Sequence, residues 1–256
     1  MDVPAVEQDR TTAGRHLRTA VRAVGEVAIA TTLYLLYRAG RLAIAGHESV
    51  ATANARRVHH LEGWLHLPSE VTVQEALSND LLYRAANWYY TSVHFPAIIA
   101  FLVLGFALRP RADYIWARNL LVVQTALALA IHALFPLSPP RMFPRWGFVD
   151  TMTTLGPSAY DGAGASVANQ FAAMPSLHIG WAVLIAFVIS RTGPRWLTIV
   201  ATLHAMLTTV VVIVTANHWF VDGIVAVVLL AVAVTVLPRP GTRRCLRSRA
   251  GSTPAG

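Results

Sequence analysis

Six apolar runs, each close to the ~20 residues that a helix needs to cross a bilayer, constrain the fold of this chain more than any other feature. They cover residues 20–43, 85–108, 114–135, 176–190, 196–215 and 218–237. The fourth run is short, and Glu26, Arg38 and Arg41 interrupt the first. The pattern predicts an all-α fold, a six-transmembrane-helix bundle that forms one catalytic membrane domain over residues 20–237.

The composition favours a membrane protein. Hydrophobic residues make up 55% of the 256 residues and charged residues only 13%, whereas about a quarter of an ordinary soluble domain is charged. All 21 basic residues are arginine, and Ala and Val are abundant, which indicates a GC-rich bacterial genome and hence the bacterial inner membrane. The single cysteine, Cys245, excludes an intrachain disulfide.

The arginines orient the predicted spans. Fourteen of the 21 fall on one side of a six-span topology, at positions 10, 15, 18, 22, 109, 111, 118, 191, 195, 239, 243, 244, 247 and 249. The positive-inside rule makes that side the cytoplasm. We therefore expect residues 1–19 to be a cytoplasmic N-terminal segment and 238–256 a disordered, basic cytoplasmic tail. This topology accounts for most of the net charge of +8 without a nucleic-acid partner.

Two segments are predicted to lie outside the membrane, on the extracytoplasmic side. Within 51–82, Val58, Leu61 and Leu65 recur at helical spacing, which predicts an interfacial helix, although a plain connector fits nearly as well. Residues 136–175 form a long extracytoplasmic loop rich in Pro and Gly, and loops of that length are often functional.

Two histidines stand where apolar runs begin on the outer side. His178 ends a Pro-Ser-Leu-His segment, and His218 lies four residues before Asp222. On a helix, that spacing would put both side chains on one face, so the carboxylate could orient the imidazole. We expect Ser176 and Asn217 to cap the two helices, whose N-terminal N–H groups suit a phosphate dianion.

These groups predict phosphoryl transfer from a lipid-linked phosphate. His218 would attack phosphorus and form a phosphohistidine, and His178 would protonate the departing oxygen and then activate water or a small alcohol. Arg141, in the long loop, would bind phosphate oxygens, and Ser176 and Asn217 could donate to them. The mechanism requires no metal and no cofactor.

At these residues the chain resembles the type 2 phosphatidic acid phosphatase superfamily. The resemblance covers about 51–237 and rests on Pro-Ser-Leu-His, the later His-x-x-x-Asp and the upstream Pro-Arg at Arg141. Flanking segments at 89–90, 94–96, 139–141 and 173–178 are similar to its inositolphosphotransferase-like branch. The resemblance implies that His178 is the proton donor, His218 the nucleophile and Asp222 its partner.

The chain departs from the superfamily at two cationic positions. The superfamily has a Lys seven residues before the Arg that corresponds to Arg141, and this chain has Leu134 there. It also has an Arg six residues before the His that corresponds to His218, and this chain has Val212 there. The phosphate site therefore holds fewer cations, and Arg145 or His94 are candidates to help Arg141.

Two rival functions remain open from the sequence. Histidines within apolar runs, such as His94, His132 and His204, could ligate haem in a membrane cytochrome, which needs two His on facing helices at matching depth. The same fold could also serve a non-catalytic transport or scaffold protein. A Soret band would indicate the first rival, and phosphoryl turnover that survives loss of His218 would favour the second.

Overall fold

The computed structural model describes residues 4–44, 48–160 and 170–240, and that part of the chain is helical. The helices in chain order are α1 (Pro4–Ile44), α2 (Glu48–Trp64), α3 (Glu70–Ala76), α4 (Asp80–Ser92), α5 (His94–Leu108), α6 (Arg111–Leu134), α7 (Thr151–Leu155), α8 (Leu177–Thr192), α9 (Arg195–Val214) and α10 (Phe220–Val236). Within those ranges there is no β-strand, and one isolated bridge joins Leu137 to Ala172. The all-α prediction is confirmed for the described residues.

Four helical segments are long and apolar enough to cross a membrane, namely Gly14–Gly40, Asp80–Leu108, Arg111–Leu134 and Arg195–Val214. They expose apolar side chains, for example Ile99 at 61% and Leu203 at 59%, as lipid-facing surfaces do. The chain is therefore a multi-pass membrane protein. Helices α8 and α10 are apolar but shorter, about 24 and 26 Å at 1.5 Å per residue, against a hydrocarbon core of ~30 Å. The six-span count stays a prediction.

The second predicted span is divided into α4 and α5. Pro96 has no N–H group to donate to the carbonyl of Ser92, so the helical ladder is interrupted near Val93 and resumes at His94. The helical segment also begins earlier than residue 85, because the Asn79 side chain accepts hydrogen bonds from the N–H groups of Leu81 and Leu82. This break places His94 at the start of a helix.

The first helix is longer than its apolar run, because α1 extends from Pro4 through residues expected to precede the membrane. It packs mainly against α6. Glu26, which interrupts the apolar run, lies 2.9 Å from Arg118 on α6, and this ion pair explains how a carboxylate is tolerated in the span.

Two arginines that follow helix ends, Arg109 after α5 and Arg239 after α10, lie at one end of the bundle. Arg109 donates to the carbonyl of Thr192 at 2.7 Å, and Arg239 lies 3.0 Å from Asp113. We call this the arginine end, and the opposite end, where α8 and α10 begin, the histidine end. Which side of the membrane each end faces stays a prediction, and residues 241–256 of the basic tail lie outside the described residues.

Two helices and the long loop cover the histidine end. The buried stripe of α2 consists of Ala51, Asn54, Ala55, Val58 and Glu62. The helix predicted in this segment is present as α2, with Leu61 and Leu65 exposed at 41% and 44%, and its place at the membrane interface stays a prediction. The loop returns to α9 and α10 through two hydrogen bonds, from Arg141 N–H to the Ala216 carbonyl at 2.9 Å and from Trp219 Nε1 to the Ser138 carbonyl at 3.0 Å.

Candidate active site

The imidazoles of His178 and His218 face one cavity at the histidine end, with ring centroids 5.9 Å apart. His178 lies in the first turn of α8, and the predicted cap is present, because Ser176 Oγ accepts the Ile179 N–H at 3.2 Å. The Nε2 atom of His178 is buried and has no hydrogen-bond partner in the described part of the chain. Two separate motifs therefore meet in space.

Two glycines let the helices that carry these motifs approach closely. A Cβ atom on Gly180 would lie 2.9 Å from Gln124 Nε2, and one on Gly223 would lie 2.8 Å from Ile179 Cδ1. Both glycines are one turn or less from the site residues, and a larger side chain at either position would displace the ends of the Gln124 and Ile179 side chains.

His218 lies in the turn before α10, which begins at Phe220. The prediction that His218 occupies the first helical turn and shares a helix face with Asp222 is therefore wrong, although the two side chains do meet, with Nδ1 3.3 Å from Asp222 Oδ2. The shorter contact of Nδ1 is with the Ala173 carbonyl at 2.8 Å. A carbonyl can only accept, so Nδ1 carries the proton and the lone pair of the neutral ring is on Nε2.

The N-terminal N–H groups of α10 are occupied by carboxyl groups of the protein. Trp219 N–H donates to Asp222 Oδ2, Phe220 N–H to Glu70 Oε1 and Val221 N–H to Glu62 Oε1, each at 2.8 Å. The prediction that this helix end binds phosphate is wrong for that reason. At the start of α8, Ser176 Oγ accepts the Ile179 N–H, and the N–H groups of Leu177 and His178 are the ones left without a partner within the helix.

Asn217 does not cap α10, contrary to prediction. Its Oδ1 accepts from Arg141 Nε at 3.1 Å and from the Tyr160 hydroxyl at 2.9 Å, and its Nδ2 donates to Thr215 Oγ1 at 2.8 Å. The preceding residue, Ala216, has a left-handed φ of 51°, which turns the chain away from α9. Asn217 therefore links the segment that carries His218 and Asp222 to the loop that carries Arg141.

Arg141 is buried beside the cavity and is held from several directions. Besides Asn217, its guanidinium contacts Asp150 Oδ2 at 3.2 Å and Gln170 Oε1 at 3.4 Å, and the Tyr160 ring covers one face at 3.9 Å. Asn217, Tyr160 and Gln170 line the cavity, whereas Arg141 does not. Its planar fork is thus fixed in orientation one side chain behind the cavity wall.

The two candidate helpers of Arg141 lie in different places. His94 lines the cavity, is 1% exposed, and packs against His178 with ring centroids 4.6 Å apart. Neither of its ring nitrogens has a hydrogen-bond partner among the described residues. Arg145 is exposed and does not line the cavity.

The cavity is a long apolar groove with polar ends. Its volume is about 830 Å³, and its walls come mainly from α1, α5 and α6. The site histidines, Tyr160 and Gln170 line one end, and the Glu26–Arg118 pair lines the other. His132 and Arg118 both line it, and their positions on α6 separate them by about 21 Å at 1.5 Å per residue. Among the described residues, no group of three or more His, Cys, Asp or Glu side chains is arranged to hold a metal ion.

Sequence reasoning missed four residues at this site, Glu62, Glu70, Tyr160 and Gln170. For Glu62 a signal existed, because its spacing from Ala51, Ala55 and Val58 puts it on the buried stripe of α2. Glu70 follows a Ser N-cap and looks like an ordinary first-turn acid. Tyr160 and Gln170 reach the site only through the fold of the loop, and no sequence pattern in the loop predicts that fold.

A comparison with protein families matches residues 56–236 to the family described as the PAP2 superfamily. The match covers both histidine motifs and Arg141. It confirms the superfamily that the motifs resemble, whereas the inositolphosphotransferase-like branch stays a prediction. No curated protein and no solved structure matches the chain.

Proposed function

This chain belongs to the PAP2 superfamily, and on that premise we propose that it is a membrane phosphoryl-transfer enzyme acting on a lipid-linked phosphate through a phosphohistidine at His218. Membership of the superfamily suggests phosphatase or phosphoryl-transfer activity. The single observation that carries the finer proposal is that His178 and His218 face one cavity with ring centroids 5.9 Å apart.

The first half-reaction uses each histidine once. Nε2 of His218 attacks phosphorus, and the N–P bond forms as the P–O bond to the lipid alcohol breaks. Protonated His178 transfers its proton to the departing oxygen, so the lipid leaves as an alcohol. The Ala173 carbonyl and Asp222 hold Nδ1–H and stabilise the charge that the ring gains.

The second half-reaction restores the enzyme. Neutral His178 takes a proton from water or from a small alcohol, whose oxygen attacks phosphorus as the N–P bond breaks. Water gives free phosphate, and an alcohol such as inositol gives a phosphoalcohol. Nothing in these steps requires a metal, since the site supplies positive charge through Arg141 and through the N–H groups that open α8.

The phosphate would lie between the two imidazoles, against Asn217, Tyr160 and Gln170. The buried Arg141 orients these side chains and contributes its charge through them. Ser176 Oγ is engaged with Ile179 N–H, so we propose that it shapes the start of α8 and is at most a secondary donor to phosphate. His94, with two unpaired ring nitrogens, is the best placed of the proposed helpers.

The apolar groove supports a lipid substrate. Its walls from α1, α5 and α6 would hold a hydrocarbon chain while the headgroup reaches the histidines. If α8 and α10 both span the membrane from the arginine end, their lengths of about 24 and 26 Å put the site a few ångströms below the opposite surface. We propose that this surface is the extracytoplasmic face of the bacterial inner membrane, with both termini in the cytoplasm.

A reconstituted enzyme assay tests the proposal. Purified protein in detergent or vesicles is incubated with ³²P-labelled phosphatidate or polyprenyl phosphates, with and without inositol, and free phosphate and phosphoalcohol are separated. We expect turnover that His218→Ala abolishes and that the exposed control His60→Ala leaves intact. Turnover unchanged in His218→Ala would contradict the proposal. A Soret band without turnover would indicate the haem-binding cytochrome. The absence of both turnover and a Soret band would favour the non-catalytic transport or scaffold protein.

A further inference from the structure

We infer that Glu62 and Glu70 are positioning residues for His218, because they clamp the first turn of the helix that follows it. The inference rests on the proposed function in so far as His218 is the nucleophile. We call the side chains of Glu62, Glu70 and Asp222 the acid clamp. Two of its three members come from α2 and α3, which carry none of the histidine and arginine motifs.

The clamp accepts hydrogen bonds from three consecutive N–H groups. Asp222 accepts from Trp219, Glu70 from Phe220 and Glu62 from Val221, each at 2.8 Å. The three carboxyl side chains belong to residues that are 0%, 2% and 4% exposed. A helix start leaves its first N–H groups without backbone partners, and here side chains from three different helices supply them.

The clamped segment begins one residue after His218. The ring of His218 reaches the cavity only because the backbone at Trp219 directs it there and the Ala173 carbonyl holds Nδ1. Removing an acceptor would leave a buried N–H group unpaired, which favours a rearranged or frayed turn. Small displacements of a reacting group cost a large part of its rate, so loss of the clamp should reduce kcat.

The charges of the clamp cannot all be negative at once. Burial and the charge of Glu70 raise the pKa of Glu62 to about 9, and burial also raises the pKa of Glu70. The titratable groups that face this pair in the described structure are Asp222 on α10 and, through it, His218. At neutral pH Glu62 is therefore a neutral acid whose carbonyl oxygen still accepts the Val221 N–H.

Because Glu62 is neutral, glutamine should replace it with less loss of kcat than aspartate does. Glutamine has the same shape, keeps an oxygen for Val221 N–H, and can donate to Glu70 with its amide. Aspartate keeps the acid but is one methylene shorter, so it cannot reach Val221 without a backbone shift. Glu62→Gln should therefore keep His218 in its position better than Glu62→Asp does, although aspartate is the chemically closer replacement.

The test compares Glu62→Gln, Glu62→Asp, Glu62→Ala and Glu70→Ala, with exposed Glu75→Ala on α3 as the matched control. Steady-state kcat and KM are measured with ³²P-labelled dioctanoyl phosphatidate, and hydrogen exchange is followed at Phe220 and Val221. We expect Glu62→Asp and both alanine variants to lose about 10- to 100-fold in kcat with little change in KM. Their amide exchange at Phe220 and Val221 should accelerate.

Glu62→Gln should retain the wild-type kcat, and exchange at Val221 should stay as slow as in wild type. We expect kcat of the wild type to fall near pH 9 as Glu62 ionises, and Glu62→Gln should lack this fall. If the alanine variants fail to fold, the test is whether Glu62→Gln has a higher kcat than Glu62→Asp. Glutamine as impaired as aspartate, or alanine variants that fold with wild-type kcat, would overturn the inference.

Failure of the proposed function would look different. If the wild type shows no phosphoryl turnover, or if His218→Ala retains it, the role of His218 is wrong, but hydrogen exchange at Phe220 and Val221 still reports whether Glu62 and Glu70 hold the turn. Unchanged exchange in both alanine variants would exclude the clamp itself.

Discussion

The rings of His178 and His218 lie 5.9 Å apart, centroid to centroid, in a cavity that both line. Neither Nε2 of His178 nor Nε2 of His218 has a hydrogen-bond partner among the described residues. Paired imidazoles with free nitrogens in a buried site suit two roles in the transfer of one phosphoryl group, a nucleophile at phosphorus and a proton donor at the departing oxygen.

Removing either imidazole should separate the two roles. We expect His218→Ala to lower kcat by at least about 1,000-fold, because no nitrogen remains to form the N–P bond. His178→Ala should be less damaging with substrates whose leaving group needs no proton, such as a nitrophenyl phosphate ester. Equal losses on both kinds of ester would argue against a proton donor at His178.

Asp222→Asn should lower kcat less than the same replacement of the aspartate lowers it in a serine protease triad. The Ala173 carbonyl lies closer to Nδ1 than Asp222 does, at 2.8 Å against 3.3 Å, so it should still fix the tautomer when the carboxylate is lost. We expect kcat to fall roughly 10- to 100-fold, well short of the ~10⁴-fold seen where the tautomer is lost. A loss of that larger size would show that Asp222, not Ala173, sets the proton position.

Arg141→Lys should impair the enzyme although the charge is kept. One ammonium cannot bond Asn217, Asp150 and Gln170 together as the guanidinium does. We expect kcat/KM to fall by about 100-fold or more, whereas the exposed Arg56→Lys on α2 should be neutral. A wild-type kcat/KM in Arg141→Lys would remove Arg141 from the phosphate site.

Filling the groove should discriminate lipid from soluble substrates. Val122 lines the cavity on α6, and exposed Ala126 lies four residues further along the same helix outside it. We expect Val122→Trp to raise KM for long-chain lipid phosphates and to leave a short, soluble phosphate ester unaffected. Ala126→Trp should change neither. A Val122→Trp enzyme with an unchanged KM for long chains would exclude this groove as the tail site.

The free energy of unfolding should fall as the pH rises from the pKa of Glu62 in the unfolded chain to its pKa in the folded protein. In the unfolded chain this carboxyl loses its proton near the ordinary pKa of 4.5, whereas the folded protein holds it to about 9. The folded state then binds more protons, so the free energy of unfolding decreases between these values by up to ~1.4 kcal/mol per pH unit. Denaturant unfolding in micelles should show this slope in wild type and a shallower one in Glu62→Gln. Identical slopes would contradict a protonated Glu62.

The helices were largely predictable because spans are encoded by hydropathy alone, and α6, α8, α9 and α10 each fall within a few residues of their apolar runs. Hydropathy did not identify the buried face of α2, which includes the polar residues Asn54 and Glu62. In a membrane protein the apolar side chains need not face the core, so periodicity does not identify the buried face. Glu62 is buried instead because its partner, Val221, lies on a helix distant in sequence.

The sequence motifs identified four of the residues that meet at the histidine end, but not their geometry. The motifs identified His178, His218, Asp222 and Arg141, because each stands beside a helix start or a Pro-rich turn. The role of Asn217 depended on the left-handed turn at Ala216, an uncommon conformation for alanine. The loop contacts of Tyr160 with Arg141 and Asn217 likewise have no local signature.

Trapping the phosphorylated enzyme tests the central claim most directly. Protein is mixed rapidly with ³²P-labelled lipid phosphate, quenched in alkali, in which a phosphohistidine survives, and digested for mass spectrometry. We predict label on the peptide that contains His218, at the ring nitrogen, and none in His218→Ala. Turnover with label on another residue, or with no labelled enzyme at any time, would contradict it.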